Sequence, residues 1–335
     1  MSPPTGRDVL DAHLASHYPG LEPWTFWRND YSRRRTSSVH TFLVLAASQP
    51  EHWVYLSVSH RFAERNLGSR PSPPSAGSEL TLRLPRRPGE FMPPPWPMNV
   101  LSWLSDFALD AGSHLTPGQV VALSGLPMKM LGTELTSVLL AADPILGELQ
   151  AANGHTRFLQ VVGITEDEQE AIHWWGPDSF LQLLTEGEPL RLWLPERRSI
   201  LEDPQMARRM REDLERDGSS IIMEFMPGLR LRHSDGAQPT LELLIDAREA
   251  FVFARALRTR TRHHRPFLVR TREVSLQLLP ALEGERGEFL ADEGQGRQPC
   301  LIIPPQRIDE LLQGFEGPPG IYTWPWFPGL VVHRL

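Results

Sequence analysis

One cysteine, Cys300, and one lysine, Lys129, stand in a chain of 335 residues. A lone cysteine excludes an intramolecular disulfide and a cysteine-based zinc site, so nothing calls for an oxidising compartment, and a reducing cytoplasm is the expected location. Long apolar runs are missing as well. A membrane helix needs roughly 20 apolar residues, whereas the strongest run, residues 41–47, is only strand-sized. Residues 1–9 are polar and proline-containing, without the apolar stretch behind a basic start that marks a secretory signal. There is no basic excess either: 34 Lys and Arg against 41 Asp and Glu leave a formal net charge of -7. That balance argues against general nucleic-acid binding, where affinity comes from neutralising phosphates.

What is present is an ordinary globular composition, 40% hydrophobic and 22% charged, which supports a packed core. The 32 prolines imply many short elements and rigid loops. The length exceeds what one hydrophobic core usually fills, so two domains are expected.

Apolar spacing predicts a helix over 8–17, stopped by Tyr18-Pro19-Gly20, and Trp24, Phe26 and Trp27 follow in a loop or first strand. Residues 39–47 and 52–58 read as a hairpin. After a Pro/Ser/Gly stretch at 68–78, residues 79–84 alternate leucines with polar partners, the pattern of a half-buried strand. A helix is predicted from Pro97 to Gly112, then strands at 119–123, 137–141 and 156–162. Thr165 and Glu168 form a capping-box pattern for a helix to about Trp175, and Gly176-Pro177 starts another that reaches Leu184.

Asp203-Pro204 and Gly218 bracket a highly charged helix. Beyond it, strands are expected at 221–225, 240–245, 267–269, 274–279, 300–303 and 330–332, with helices at 247–259 and 306–313. The expected fold class is α+β, with two domains, each a mixed β-sheet with flanking helices. Residues 1–200 form the first, 201–218 the short charged connecting helix and 219–335 the second.

No cluster reads as a reactive centre. His13 and His17 lie four apart on the first helix, but the glutamate-bearing zinc-protease spacing is absent, and they read as half-buried histidines. Glu166, Asp167, Glu168 and Glu170 sit at a helix N-terminus, where the dipole favours carboxylates without catalysis. The Gly-rich segments 283–288 and 293–296 lack the lysine and the strand-to-helix setting of a phosphate loop and read as turns. Cys300 lies in an apolar strand and reads as core. The most unusual charge feature is Arg255, Arg258, Arg260, Arg262, His263, His264, Arg265, Arg270 and Arg272, uninterrupted by acid. It reads as a solvated face, an intramolecular network, or a surface for an acidic protein. No catalytic residue, metal or cofactor is expected.

The runs His52-Trp53-Val54-Tyr55-Leu56-Ser57, Glu79-Leu80-Thr81-Leu82-Arg83-Leu84 and Pro94-Pro95-Trp96-Pro97-Met98-Asn99-Val100-Leu101 resemble the N-terminal core of the Suppressor of fused family. Asp143-Pro144, the run from Phe158 to Glu168, and Trp175-Gly176 continue the resemblance in the same order. Leu257-Arg258, Arg260, His263, Arg265 and Phe267 resemble its C-terminal signature. The resemblance implies a two-domain, non-enzymatic protein whose animal members hold an extended peptide in a cleft between domains by strand addition. By position, Phe107 replaces a tyrosine of that cleft, Gln119 an aspartate and Val252 a leucine. At 119 a neutral amide thus stands where a carboxylate would pair with a histidine of the peptide.

The long polar insertion of the animal C-terminal half is missing, and the compact form is similar to bacterial members associated with immunity against toxins. The expectation is therefore a monomeric immunity protein that binds and neutralises a cognate toxin domain. The alternative is an intracellular regulator sequestering a partner's peptide. The expected partner-binding residues are Phe107, Gln119, Val252, Arg258, Arg260, His263 and Arg265, with no nucleic acid or membrane involved.

Overall fold

The computed structural model describes residues 6–30, 38–59, 62, 77–111, 114–124, 133–151, 154–234, 239–282, 284, 286–291 and 298–335. The chain divides into two compact units, one comprising residues 1–172 and 177–203 and the other residues 173–176 and 204–335. Gly112, most of the 68–78 stretch, and residues 283, 285 and 292–297 of the Gly-rich segments lie outside the described residues.

The first unit runs α1 (Gly6–His17), β1 (Trp24–Asp30), β2 (Ser38–Ser48), β3 (Glu51–Val58), β4 (Gly77–Pro85), α2 (Trp96–Ala111), β5 (Val120–Ala122), β6 (Ser137–Ala142), β7 (Glu148–Ala151) and β8 (Gly154–Ile164). Next come α3 (Glu166–Trp175), whose last turn groups with the second unit, and α4 (Pro177–Gly187). Eight strands form one sheet in the order β1-β2-β3-β4-β8-β6-β5, with β7 added to β8. Both faces are covered. Phe42, Val44, Trp53, Tyr55, Leu82 and Leu159 pack with Val100, Leu101 and Leu104 of α2. Leu43, Leu45, Val54, Leu56 and Phe158 pack with Leu10 and Leu14 of α1.

That double cover corrects the expectation of a half-buried β4. Its polar residues Glu79, Thr81 and Arg83 are buried along with its leucines, because β3 and β8 flank it and α1 lies over the face they share. Buried polar groups need partners. Arg83 Nη2 donates to Asp143 Oδ1 at 2.8 Å and to the Tyr18 hydroxyl at 3.3 Å. Thr81 donates to the other Asp143 oxygen, and the Ile145 and Leu146 N–H groups donate to Oδ1. One arm of the capping box before α3 forms as expected, the Thr165 N–H donating to Glu168 Oε2 at 3.0 Å, while the Thr165 hydroxyl donates to Asp167.

The second unit contains α5 (Pro204–Asp217), β9 (Met223–Phe225), β10 (Arg230–Ser234), β11 (Thr240–Ile245), α6 (Ala247–Thr259), β12 (Phe267–Arg270), β13 (Ser275–Pro280), β14 (Glu288–Leu290), β15 (Cys300–Ile303), α7 (Ile308–Glu316), β16 (Gly320–Trp324) and β17 (Phe327–Arg334). These strands make a four-stranded sheet, β10-β11-β17-β16, and a five-stranded one, β14-β15-β13-β12-β9. Asp246 caps α6 by accepting from the Glu249 N–H at 2.9 Å. α6 and α7 are joined by Phe253 stacked on Phe315 at 4.5 Å. The fold is α+β in two domains. No helix of the described residues is long and apolar enough to cross a membrane.

Candidate protein-binding surfaces

Strands that end a sheet leave backbone hydrogen-bonding groups without a strand neighbour; among the described residues these are β1, β5 and β7 in the first unit and β9, β10, β14 and β16 in the second. In the first unit β5 is such a strand, paired with β6 through Val120–Leu139, Val121–Val138 and Ala122–Ser137. Gln119 precedes it. The Gln119 carbonyl accepts from the Leu140 N–H at 2.9 Å, and its side-chain oxygen accepts from the Thr116 N–H at 3.3 Å, so the amide is held locally. Phe107 lies on α2, partly exposed and stacked on Trp103 at 5.6 Å.

In the second unit β9 is such a strand, held in parallel to β12. The Leu268 N–H donates to the Ile222 carbonyl and the Met226 N–H to the Arg270 carbonyl. By the alternation of a strand, the N–H and C=O groups of Met223 and Phe225 then point away from the sheet. Its side chains are unusually apolar for an open edge: Ile222 is 71% exposed, Met223 41% and Phe225 54%. Glu224, between them, pairs with His173 at 2.8 Å. On α6, Val252 is half-buried beside Phe251, which is 58% exposed. The Arg255 guanidinium lies over the rings of both Phe251 (4.6 Å) and Trp174 (5.1 Å), and Trp174 stacks on Phe267.

The basic cluster is largely an intramolecular network. Arg258 pairs with Glu316 and Arg262 with Asp309. Arg260, only 7% exposed, donates to the Ser219 carbonyl at 2.7 Å and the Pro266 carbonyl at 2.9 Å. Arg265 reaches the same Ser219 carbonyl at 3.1 Å, and His263 Nε2 donates to the Glu215 carbonyl. Burial pulls the Arg260 pKa down, and the charge of Arg265 adds to this. Arg260, Arg265 and His263 thus brace the end of α5 and the chain leading to β9, while Arg258 and Arg262 tie to α7. Of the cluster Arg260 is buried and Arg258, Arg262 and His263 are half-buried, while His264, Arg265, Arg270 and Arg272 stay exposed.

Among the described residues no three His, Cys, Asp or Glu side chains converge as a metal site. His13 Nε2 lies 2.9 Å from the Leu146 carbonyl and its ring stacks on Phe158, while His17 Nδ1 turns to the His13 carbonyl. The acidic cluster at α3 is structural. Glu168, fully buried, takes Arg197 and the Ile200 N–H, and Asp167 takes Ser199. Burial raises the Cys300 thiol pKa, in keeping with a core residue.

Sequence reasoning missed the exposed apolar side chains of β9, because three apolar residues in a predicted strand look the same whether the strand is central or at an edge. It also missed a pocket of about 590 Å³ in the first unit, between α4 and the end of β6.

These features define a two-domain α+β protein with open sheet edges. A family model described as Suppressor of fused protein matches residues 35–198. Human Suppressor of fused homolog is 29% identical over 187 residues, covering 52% of this chain and 38% of the human protein, and the mouse homolog is 28% identical over the same length. The match thus spans well under half the length of these relatives. The crystal structure of Drosophila Suppressor of Fused superposes with a TM-score of 0.69 at 19% identity, covering 98% of this chain and 96% of that one. Over residues 35–198 the chain belongs to the Suppressor of fused family, and its fold is that of the Drosophila protein.

Proposed function

We propose that the chain is a non-enzymatic protein-binding protein that captures an extended segment of its partner as an added strand beside β9. The observation that carries this is the open edge itself, three exposed apolar residues beside unpaired backbone groups. Edges of this kind aggregate unless shortened, charged or covered, and an incoming strand supplies the cover. Its backbone would provide affinity and its alternate side chains selectivity. Burying one large apolar side chain contributes roughly 1.5–3 kcal/mol, so Phe225 and Ile222 together supply a substantial share of a micromolar affinity, about 8 kcal/mol. No reactive group is required, since occlusion needs only complementary shape and charge.

The partner class we assign is a toxin domain, neutralised in the cytoplasm by a monomer of this protein. The support is the compact form, without the polar insertion of the animal relatives. The regulator reading shares the same binding mode, and one pair of measurements separates them. Panning a displayed peptide library against the full chain is expected to return a linear motif of alternating apolar residues, with binding lost in Phe225→Asp and weakened in Val252→Asp. A motif retained unchanged by Phe225→Asp would remove β9 as the site. Co-expression with the toxin domain encoded beside the gene is expected to rescue growth, whereas a motif without rescue would leave the regulator.

A further inference from the structure

A pocket lies between α4 and the end of β6, where β5 stops short of Ala142. β5 runs along β6 only as far as Gly118, whose N–H donates to the Leu140 carbonyl at 2.7 Å, and Pro117 has no N–H to offer. β6 continues to Ala142. The Leu140 N–H points to β5 and the Asp143 N–H to the Phe158 carbonyl of β8, so alternation turns both backbone groups of Ala142 toward the side that β5 has vacated. Its carbonyl accepts from Arg191 Nη1 at 3.2 Å, in the place a neighbouring strand would occupy. The Ala142 N–H lies on the same side.

Arg191 is placed there at some strain, with φ of 51°. Its Nε donates to the Thr185 hydroxyl at 3.3 Å, and among the described residues Nη2 has no hydrogen-bond partner and no carboxylate pairs with the guanidinium. A half-buried guanidinium with spare donors favours an anionic ligand, and a planar carboxylate suits its fork. The opposite wall is one face of α4, where Asp178, Leu181, Gln182, Thr185 and Glu186 follow helical spacing. From Asp178 to Glu186 this wall is about 12 Å long at ~1.5 Å per residue, enough for three or four extended residues at ~3.3 Å each. The Arg191 side chain closes one end, and Gly118 abuts Pro177 at the other.

We propose that this pocket binds the C-terminal end of an extended partner segment, its terminal carboxylate held by Arg191 and the Ala142 N–H. The Arg191 side chain already occupies the hydrogen-bonding place beside the Ala142 carbonyl, so the proposed segment ends against it. Residues before the terminus run back along α4 toward Asp178, which selects lysine or arginine at one of them. This site is separate from the β9 edge and does not depend on it.

The test uses the full chain and fluorescein-labelled tetrapeptide pools, made both as free acids and as C-terminal amides, in fluorescence polarisation. Free-acid pools with Lys or Arg upstream of the terminus are expected to bind best, and amidation to weaken them by at least about tenfold, the scale of losing a charged hydrogen bond. Arg191→Gln is expected to match the amide loss, Arg191→Lys to recover part of it, and Asp178→Asn to remove only the basic preference. Each variant is checked for native circular dichroism and for unchanged binding to the β9-directed motif. Equal binding of acids and amides, displacement by free acetate as effective as by peptide, or no pool binding above Arg191→Gln would each overturn the proposal.

Discussion

Arg83 and Asp143 meet 2.8 Å apart with both side chains fully buried, although the alternation of β4 reads as polar residues facing water. A buried pair contributes little net stability, but removing one partner strands a charge. Asp143→Ala is therefore expected to destabilise the first unit by about 3–5 kcal/mol, read as a lowered denaturant midpoint, and Arg83→Met added to it should recover a large part. Burial alone would raise the Asp143 pKa, but the charge and hydrogen bonds of Arg83 outweigh it and hold the carboxyl below its ordinary value. That stabilisation is present above the unfolded carboxylate range and is lost as pH falls through the folded value.

His52 acts earlier on the pH scale. Burial lowers its pKa from 6.5, and its Nδ1 faces the Pro50 carbonyl at 2.7 Å. Below pH 6.5 the unfolded chain takes up a proton that the native chain refuses. Stability then falls by up to about 1.4 kcal/mol per pH unit until the folded value is reached. Melting temperatures from pH 8 to 5 should show this slope, and His52→Gln should flatten it. A slope unchanged in that variant would assign the effect to His13, whose pKa burial also lowers.

At the scale of elements, the segment between α5 and β9 depends on Gly218. Its φ is +73°, and an added Cβ would lie 2.7 Å from the Thr259 carbonyl and 2.9 Å from the His263 ring. Gly218→Ala is expected to cost at least about 1–3 kcal/mol from backbone strain, and to weaken partner binding as well by shifting the Ser219 carbonyl that Arg260 and Arg265 hold. Unchanged stability and binding would show that the brace is dispensable. The glycine stop after the charged helix was readable from the sequence, whereas the two arginines gathered on one carbonyl 41 and 46 residues away were not. Strong periodic elements such as α6 and β15 were legible for the same reason that β7, β10, β14 and β16 were not. β15 is as short as these but wholly apolar, whereas β10 (Arg230–Ser234) is largely polar and the others mix polar residues or glycine with apolar ones, so their strand character comes from their neighbours.

For the whole molecule, the division into units does not follow the chain in one cut. Residues 173–176 group with residues 204–335. There the Trp174 carbonyl accepts from Ser219, and its ring meets Phe267 and Arg255. A fragment ending at Asp203 would leave Trp174, 3% exposed in the full chain, without those partners. It is expected to bind a hydrophobic dye such as ANS more strongly than the full chain does, and Trp174→Gln in the fragment should reduce the signal. Dye binding no greater than that of the full chain would contradict this division.

The sequence by itself determined the α+β class, most helices and longer strands, the family, and the structural character of Cys300 and the α3 carboxylates, because these follow from local spacing, capping and composition. Only the tertiary structure decided that β4 is buried on both faces, that β9 is an apolar edge, that the arginines brace their own chain, and that a pocket lies beside Ala142. Which strand lacks a neighbour, and which charge already has a partner, are set by residues distant in sequence, and no local pattern records them.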